Sequence, residues 1–163
     1  TSGYIPMGGL IVSDKVFDVI KTAGDFNHGF TYSGHPVAAA VALENIRILR
    51  EEKILEQVRE QTAPYLQKRL RELNDHPLVG EVRGVGMLGA IELVKDKATR
   101  ARYEGKAVGM ICRAHCFNNG LIMRAVGDTM IIAPPLVISK AEIDELVTKA
   151  RLCLDLTLKD LQG

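Results

Sequence analysis

Residues 28–36 read HGFTYSGHP, and they directly precede PVAAAVALENIRILREEK, a segment with the marks of a long helix. Glycines, hydroxyls and imidazoles thus stand just ahead of a helix start, where the first N–H groups lack intrahelical partners and the dipole is positive. Two chemistries use those donors. Ser33 or His35 can cap the helix, and Gly29 and Thr31 can offer flexible backbone and a hydroxyl to a phosphate-like anion. The residues alone leave both open, and the two are compatible.

Three further groups could do chemistry. Gly84, Gly86 and Gly89 match G-x-G-x-x-G, but the dinucleotide pattern requires a strand followed by a helix. The following AIELV reads as strand, so a glycine-rich bend in an antiparallel sheet is expected. Cys112, His115 and Cys116 could share a helix face, yet a zinc site needs a fourth ligand and usually a C-x-x-C knuckle. Core packing with the histidine at the edge is the favoured reading, and no metal is assigned. Arg124, in LIMRAVGD, has apolar neighbours on both sides. Its planar fork suits a carboxylate, although an arginine facing outward from a strand is favoured when it is taken alone.

The elements that must position these residues follow from the patterning. TSGYIPMGG is a loop, LIVS at 10–13 reads as a buried strand, and Asp14 is expected to cap a short helix that Gly24 stops. Pro36 suits the first helical position, and Val37, Ala40, Val41, Ile46 and Leu49 carry that helix to about Glu52. One strand cannot make a sheet. Residues 1–53 therefore read as the end of a larger domain whose other strands lie upstream or in another chain, and Thr1 in first position points to cutting or truncation.

Residues 54–163 read as a complete α+β unit. Ile54, Val58, Leu66, Leu70 and Leu73 keep one stripe in phase across Pro64, predicting a kinked helix. Residues 79–94 give two strands or one bent strand. A helix covers Lys106 to Phe117, ended by Asn118-Asn119-Gly120, and residues 121–136 read as a β-hairpin turning at Gly127-Asp128. Ser139 and Glu142 form a capping box for a final helix carrying Ile143, Val147, Ala150 and Leu154.

The composition bounds the partners. With 47% hydrophobic and 25% charged residues and a formal net charge of +1, the chain has the make-up of a soluble globular protein with no footprint for nucleic acid or an anionic membrane surface. It has neither an apolar run long enough for a bilayer nor a leader pattern, so a cytoplasmic location is expected. Cys112, Cys116 and Cys153, odd in number and placed in helices, read as free buried thiols.

TSGYIPMGG, HGFTYSGHPVAAAVALENI, RGVGMLGAIEL and GLIMRAVGDTMIIAPPL, in this order and spacing, resemble landmarks of the class III, or omega, aminotransferases. These are fold type I enzymes dependent on pyridoxal phosphate. The resemblance covers essentially the whole chain but only the C-terminal part of the family's. It implies an α/β fold, with 1–53 as the end of the large cofactor-binding domain and 54–163 as the small α+β C-terminal domain.

The family's Schiff-base lysine lies in a segment similar to K-G-L-T-S-G-Y, which places it just upstream of Thr1. The aspartate facing the pyridine nitrogen and the ring-stacking aromatic are implied upstream as well, so no catalytic residue falls within the chain. By the resemblance Thr31, preceded by Phe30, contacts the cofactor phosphate of the neighbouring subunit, and Arg124 pairs with a substrate carboxylate and swings aside for amines. The implied whole is a homodimer or tetramer moving an amino group from an amine or omega-amino acid to pyruvate or another 2-oxo acid. Without its N-terminal portion this chain is expected to be inactive. A decarboxylase or aminomutase on the same scaffold, and a non-catalytic interaction module or subunit of a split enzyme, are the alternatives.

Overall fold

A computed structural model describes residues 1–162. The chain divides into two compact units, Thr1–Lys53 and Ile54–Gly163.

In the first unit, residues 1–13 form a turn and an extended stretch. The Thr1 hydroxyl donates to the Ile5 carbonyl at 2.7 Å, and Ser2 donates to the Asn45 side chain at 2.5 Å. The LIVS segment expected as a strand is not one. Leu10 and Ile11 are 88% and 99% exposed, and no second strand in the unit pairs with them. The reason is the one already visible in the sequence, since a single extended segment has no ladder to join.

Helix α1 spans Asp14–Thr22 and α2 spans Pro36–Glu51. Asp14 is the first helical residue rather than the cap. Extended Ser13 holds the cap position without a side-chain bond, leaving the Asp14 carboxylate in the first turn, where the dipole favours it. Helix α1 then gives way to Gly24 at φ +111°, in the region open to glycine. Ala38 is the buried side chain of α2, and large apolar side chains of the unit, among them Leu10, Ile11 and Phe26, are exposed.

The second unit has the expected α+β order. Helix α3 (Ile54–Gln57) runs through a π-helical turn, Val58–Thr62, into α4 (Ala63–Arg71) and a 3-10 turn, Glu72–Asp75. Where the sequence predicts a kink, the helix carries a π turn ahead of Pro64. Pro64 has no N–H to return to the fourth carbonyl back and its ring would crowd that carbonyl, so the helix widens by one residue ahead of it. The N–H of Ala63 accordingly reaches the Val58 carbonyl. The stripe stays in phase, with Leu66, Leu70 and Leu73 completely buried. Truncating any of these to alanine costs about 2–5 kcal/mol.

Strands β1 (Val79–Val85), β2 (Leu88–Leu93), β3 (Arg124–Val126) and β4 (Thr129–Ile132) form one antiparallel sheet in the order β1-β2-β4-β3. Burial alternates along β2, with Gly89, Ile91 and Leu93 inward, the pattern of a sheet with one covered face. On the other face Arg83 meets Glu92 across the β1–β2 pair at 2.7 Å.

Helices α5 (Val108–Asn118) and α6 (Lys140–Gln162) complete the core. There Cys112, Cys116, Ile143, Val147 and Leu154 join Ile91 and Met130. The capping box of α6 is formed, with Glu142 accepting the Ser139 N–H at 2.8 Å and Ser139 accepting the Glu142 N–H at 3.2 Å. All three thiols are free and buried. A hydrogen bond with Cys112, reinforced by burial, pushes the Cys116 thiol far up, which keeps it protonated. His115 turns away from the thiols to Asp160 at 2.7 Å. Among the described residues no helix is long and apolar enough to cross a membrane.

Candidate functional site

In the first unit, Phe30 to Gly34 form a turn immediately before α2. The Ser33 N–H donates to the Phe30 carbonyl at 2.9 Å, and the Ser33 hydroxyl accepts the Phe30 N–H at 3.2 Å. Gly34 takes φ +71°, and Pro36 follows at the first helical position. Of the two readings left open, side-chain capping by Ser33 or His35 is absent. His35 occupies the cap position without a side-chain bond, and Ser33 spends its hydroxyl closing the turn behind it.

That leaves the first N–H groups of α2 without a side-chain acceptor, the condition that favours an anion there. Thr31 is exposed and its hydroxyl makes no hydrogen bond among the described residues. Phe30, Tyr32, Gly34 and His35 line a cleft of about 410 Å³ with Met7 and Ala38; Thr31 stands outside that lining. Phe30 and Tyr32 are 79% and 82% exposed. His28 meets Phe26 and Phe30 edge-on at 5.7 and 6.0 Å, an arrangement suited to ring quadrupoles. An exposed hydroxyl with oriented backbone donors is a donor set that fits a phosphate.

In the second unit, Arg124 opens β3 and is exposed. It pairs in register with Ile131 of β4 and forms no ion pair among the described residues. It lines a cleft of about 400 Å³ with Arg113, Phe117, Ile122 and Met123. The Arg113 guanidinium lies 5.2 Å from the centre of the Phe117 ring, a distance at which the ring face attracts a cation. Two guanidinium groups without acid partners among the described residues, on an apolar wall, suit a carboxylate-bearing small molecule.

The glycine motif is the β1–β2 hairpin. Gly86 turns it at φ +59°, and Gln67 from α4 donates to the carbonyls of Gly86 and Leu88 at 3.0 and 3.1 Å. A strand returns from the glycines where a dinucleotide site would need a helix. Gln67 acts across about twenty residues and Arg113 looks like any polar residue on a helix, so neither leaves a signal in the sequence.

The sequence profile of the family described as Aminotransferase class-III matches residues 1–154. The chain belongs to the class-III aminotransferases. This class-III chain is 72% identical over 157 residues to a putrescine–pyruvate aminotransferase of Pseudomonas aeruginosa, covering 96% of the chain and 34% of that relative. It is 41% identical over 152 residues to a mitochondrial gamma aminobutyrate transaminase of Solanum lycopersicum, covering 90% of the chain and 29% of the relative. A solved transaminase obtained by directed evolution through ancestral reconstruction superposes with a TM-score of 0.89 at 45% identity, covering 97% of this chain and 36% of that one. The class-III chain thus spans about a third of the length of the relatives it matches.

Proposed function

We propose that this chain is the C-terminal part of a pyridoxal-phosphate-dependent aminotransferase that moves an amino group from an amine or omega-amino acid to pyruvate or another 2-oxo acid. The observation that carries the reading is the 72% identity, over 96% of the chain, to a putrescine–pyruvate aminotransferase. The gamma aminobutyrate transaminases among the relatives widen the donors to amino acids with a distant carboxylate.

When bound, pyridoxal phosphate supplies an electron sink for the bond cleaved at the amine carbon. The turn at Phe30 and Thr31 would hold its phosphate, with the Thr31 hydroxyl and the donors ahead of α2 matching the anion. Arg124 would receive the substrate carboxylate through two parallel N–H bonds, and its exposure on an edge strand leaves it free to move aside for a plain alkylamine. The Schiff-base lysine belongs to the portion that precedes Thr1, so amino transfer requires the longer chain.

Residues 1–53 would be the end of the large domain and residues 54–163 the small domain. The apolar side chains left exposed on the first unit, among them Ile11, Phe26 and Tyr32, are the surface such a domain and a second subunit would cover. A turn that serves a neighbour's phosphate makes the enzyme a homodimer or a dimer of dimers. The cytoplasm is the compartment that suits three free thiols.

The test is amino transfer itself. The full-length enzyme with pyridoxal phosphate, an alkyl diamine and pyruvate should form alanine, and residues 1–163 alone should not. Alanine formed by the isolated chain, or no amino acid formed by the full-length enzyme from any amine and 2-oxo acid, would refute the proposal.

A further inference from the structure

The turn that follows Arg124 is gripped from two sides. Asp128 is 9% exposed, and one of its carboxylate oxygens accepts the N–H of Gly109, in the first turn of α5, at 3.0 Å. Its backbone carbonyl accepts the N–H of Leu93, at the end of β2, at 2.9 Å. A Cβ on Gly109 would stand 2.1 Å from the carbonyl oxygen of Gly127. Real Cβ atoms never approach so closely, so the helix start and the turn touch backbone to backbone.

Strand β3 is held otherwise by β4 and by the core packing of Met123 and Ala125. It is three residues long and pairs on one side only, with β4. A carboxylate at the first turn of a helix takes an N–H that has no partner within the helix, with the dipole in its favour and a charge-assisted bond. The β3–β4 turn is thus tied, through a side chain and through backbone contact, to α5, the helix that carries Arg113 and Phe117 on the wall of the Arg124 cleft.

We infer that Asp128 and Gly109 form a latch that positions Arg124 for a substrate carboxylate, which makes Asp128 a positioning residue. The inference rests on the carboxylate role of Arg124 proposed above. A two-pronged guanidinium contact is sensitive to small displacements. Releasing the turn should thus cost carboxylate recognition before it costs amine chemistry.

The experiment uses the complete, cofactor-loaded enzyme with Asp128→Ala, Asp128→Asn, Gly109→Ala and Arg124→Ala. Three quantities are read. They are the calorimetric dissociation constant of a short-chain carboxylate inhibitor, the ratio of kcat/KM for an amino acid to that for an alkylamine, and hydrogen exchange over residues 107–110 and 124–129. Asp128→Ala and Gly109→Ala should weaken the inhibitor and lower the ratio about tenfold, the scale of one charge-assisted hydrogen bond, with faster exchange in both segments. Asp128→Asn, whose amide oxygen still accepts the Gly109 N–H, should restore most of the loss. Equal losses for both substrates, or an unchanged ratio in Asp128→Ala while Arg124→Ala lowers it, would overturn the latch. A ratio unmoved by Arg124→Ala would instead remove the carboxylate role of Arg124, and the inference with it.

Discussion

The Nε2 atom of buried His76 lies 3.2 Å from a carboxylate oxygen of Asp155, tying the entry of β1 to helix α6. On the other side of the ring Nδ1 accepts the N–H of Leu78 at 3.1 Å. With Nδ1 an acceptor, the neutral ring carries its proton on Nε2 and donates it to Asp155. Burial lowers the pKa of His76 below its usual 6.5, outweighing the opposing pull of Asp155.

A pH dependence follows. Below 6.5 the unfolded chain takes up a proton at this position that the folded chain still refuses, so folding stability falls as pH falls from 6.5 through the lower folded pKa. Above 6.5 the contribution is fully present. Urea unfolding at several pH values should show this slope, and His76→Gln should flatten it. An unchanged slope in the variant would move the effect to other groups.

Arg124→Ala in the full-length enzyme should weaken carboxylate substrates far more than plain amines. Losing a charge-assisted two-pronged contact costs about 2–3 kcal/mol, a factor of tens to roughly a hundred in kcat/KM. Arg124→Lys should recover only part of it, because a point charge does not match both oxygens. Comparable losses for both substrate classes would make Arg124 structural.

Thr31→Ala should raise the dissociation constant of pyridoxal phosphate about fivefold, which is about 1 kcal/mol, the net worth of one hydroxyl hydrogen bond. Thr31→Ser should be close to the parent. Equilibrium dialysis of the cofactor decides it, and unchanged affinity in the alanine variant would take Thr31 out of the phosphate site.

Gly84→Ala should destabilise the second unit. An added Cβ would stand 2.4 Å from the Leu88 carbonyl and 2.7 Å from the Gln67 side chain, forcing backbone to shift at the hairpin. Overpacking of this kind costs about 1–3 kcal/mol, to be read as a lowered Tm. Gly86→Ala would be disfavoured for another reason, the positive φ of +59° at the turn, with open space around it.

The second unit was the more legible half of the sequence. Its stripes Leu66-Leu70-Leu73 and Ile143-Val147-Leu154, its hairpin at Gly127-Asp128 and its capping box at Ser139-Glu142 are local patterns, and local patterns suffice where a unit buries its own core. The misreadings cluster in residues 1–53. LIVS carries the composition of a strand, but pairing is a property of two segments. Ser33 carries the chemistry of a cap, but its hydroxyl had a nearer donor in Phe30. Pro64 was legible as an interruption of the helix, whereas the π turn is one of several local ways to keep the N–H groups ahead of it paired. Of the candidate site, Thr31, Phe30 and Arg124 were reached through family landmarks. The contacts that hold the neighbourhood, Gln67 to the hairpin and Asp128 to Gly109, join segments far apart in sequence and leave no periodic trace.

A chain that is part of a longer pyridoxal-phosphate aminotransferase has a direct physical signature. The most direct measurement is the intact mass of the protein as its source makes it, with absorbance spectra before and after borohydride reduction. The expected result is a chain far heavier than 17.9 kDa whose chromophore becomes fixed, on reduction, to a lysine preceding Thr1. A natural chain of 17.9 kDa without a reducible chromophore would contradict it.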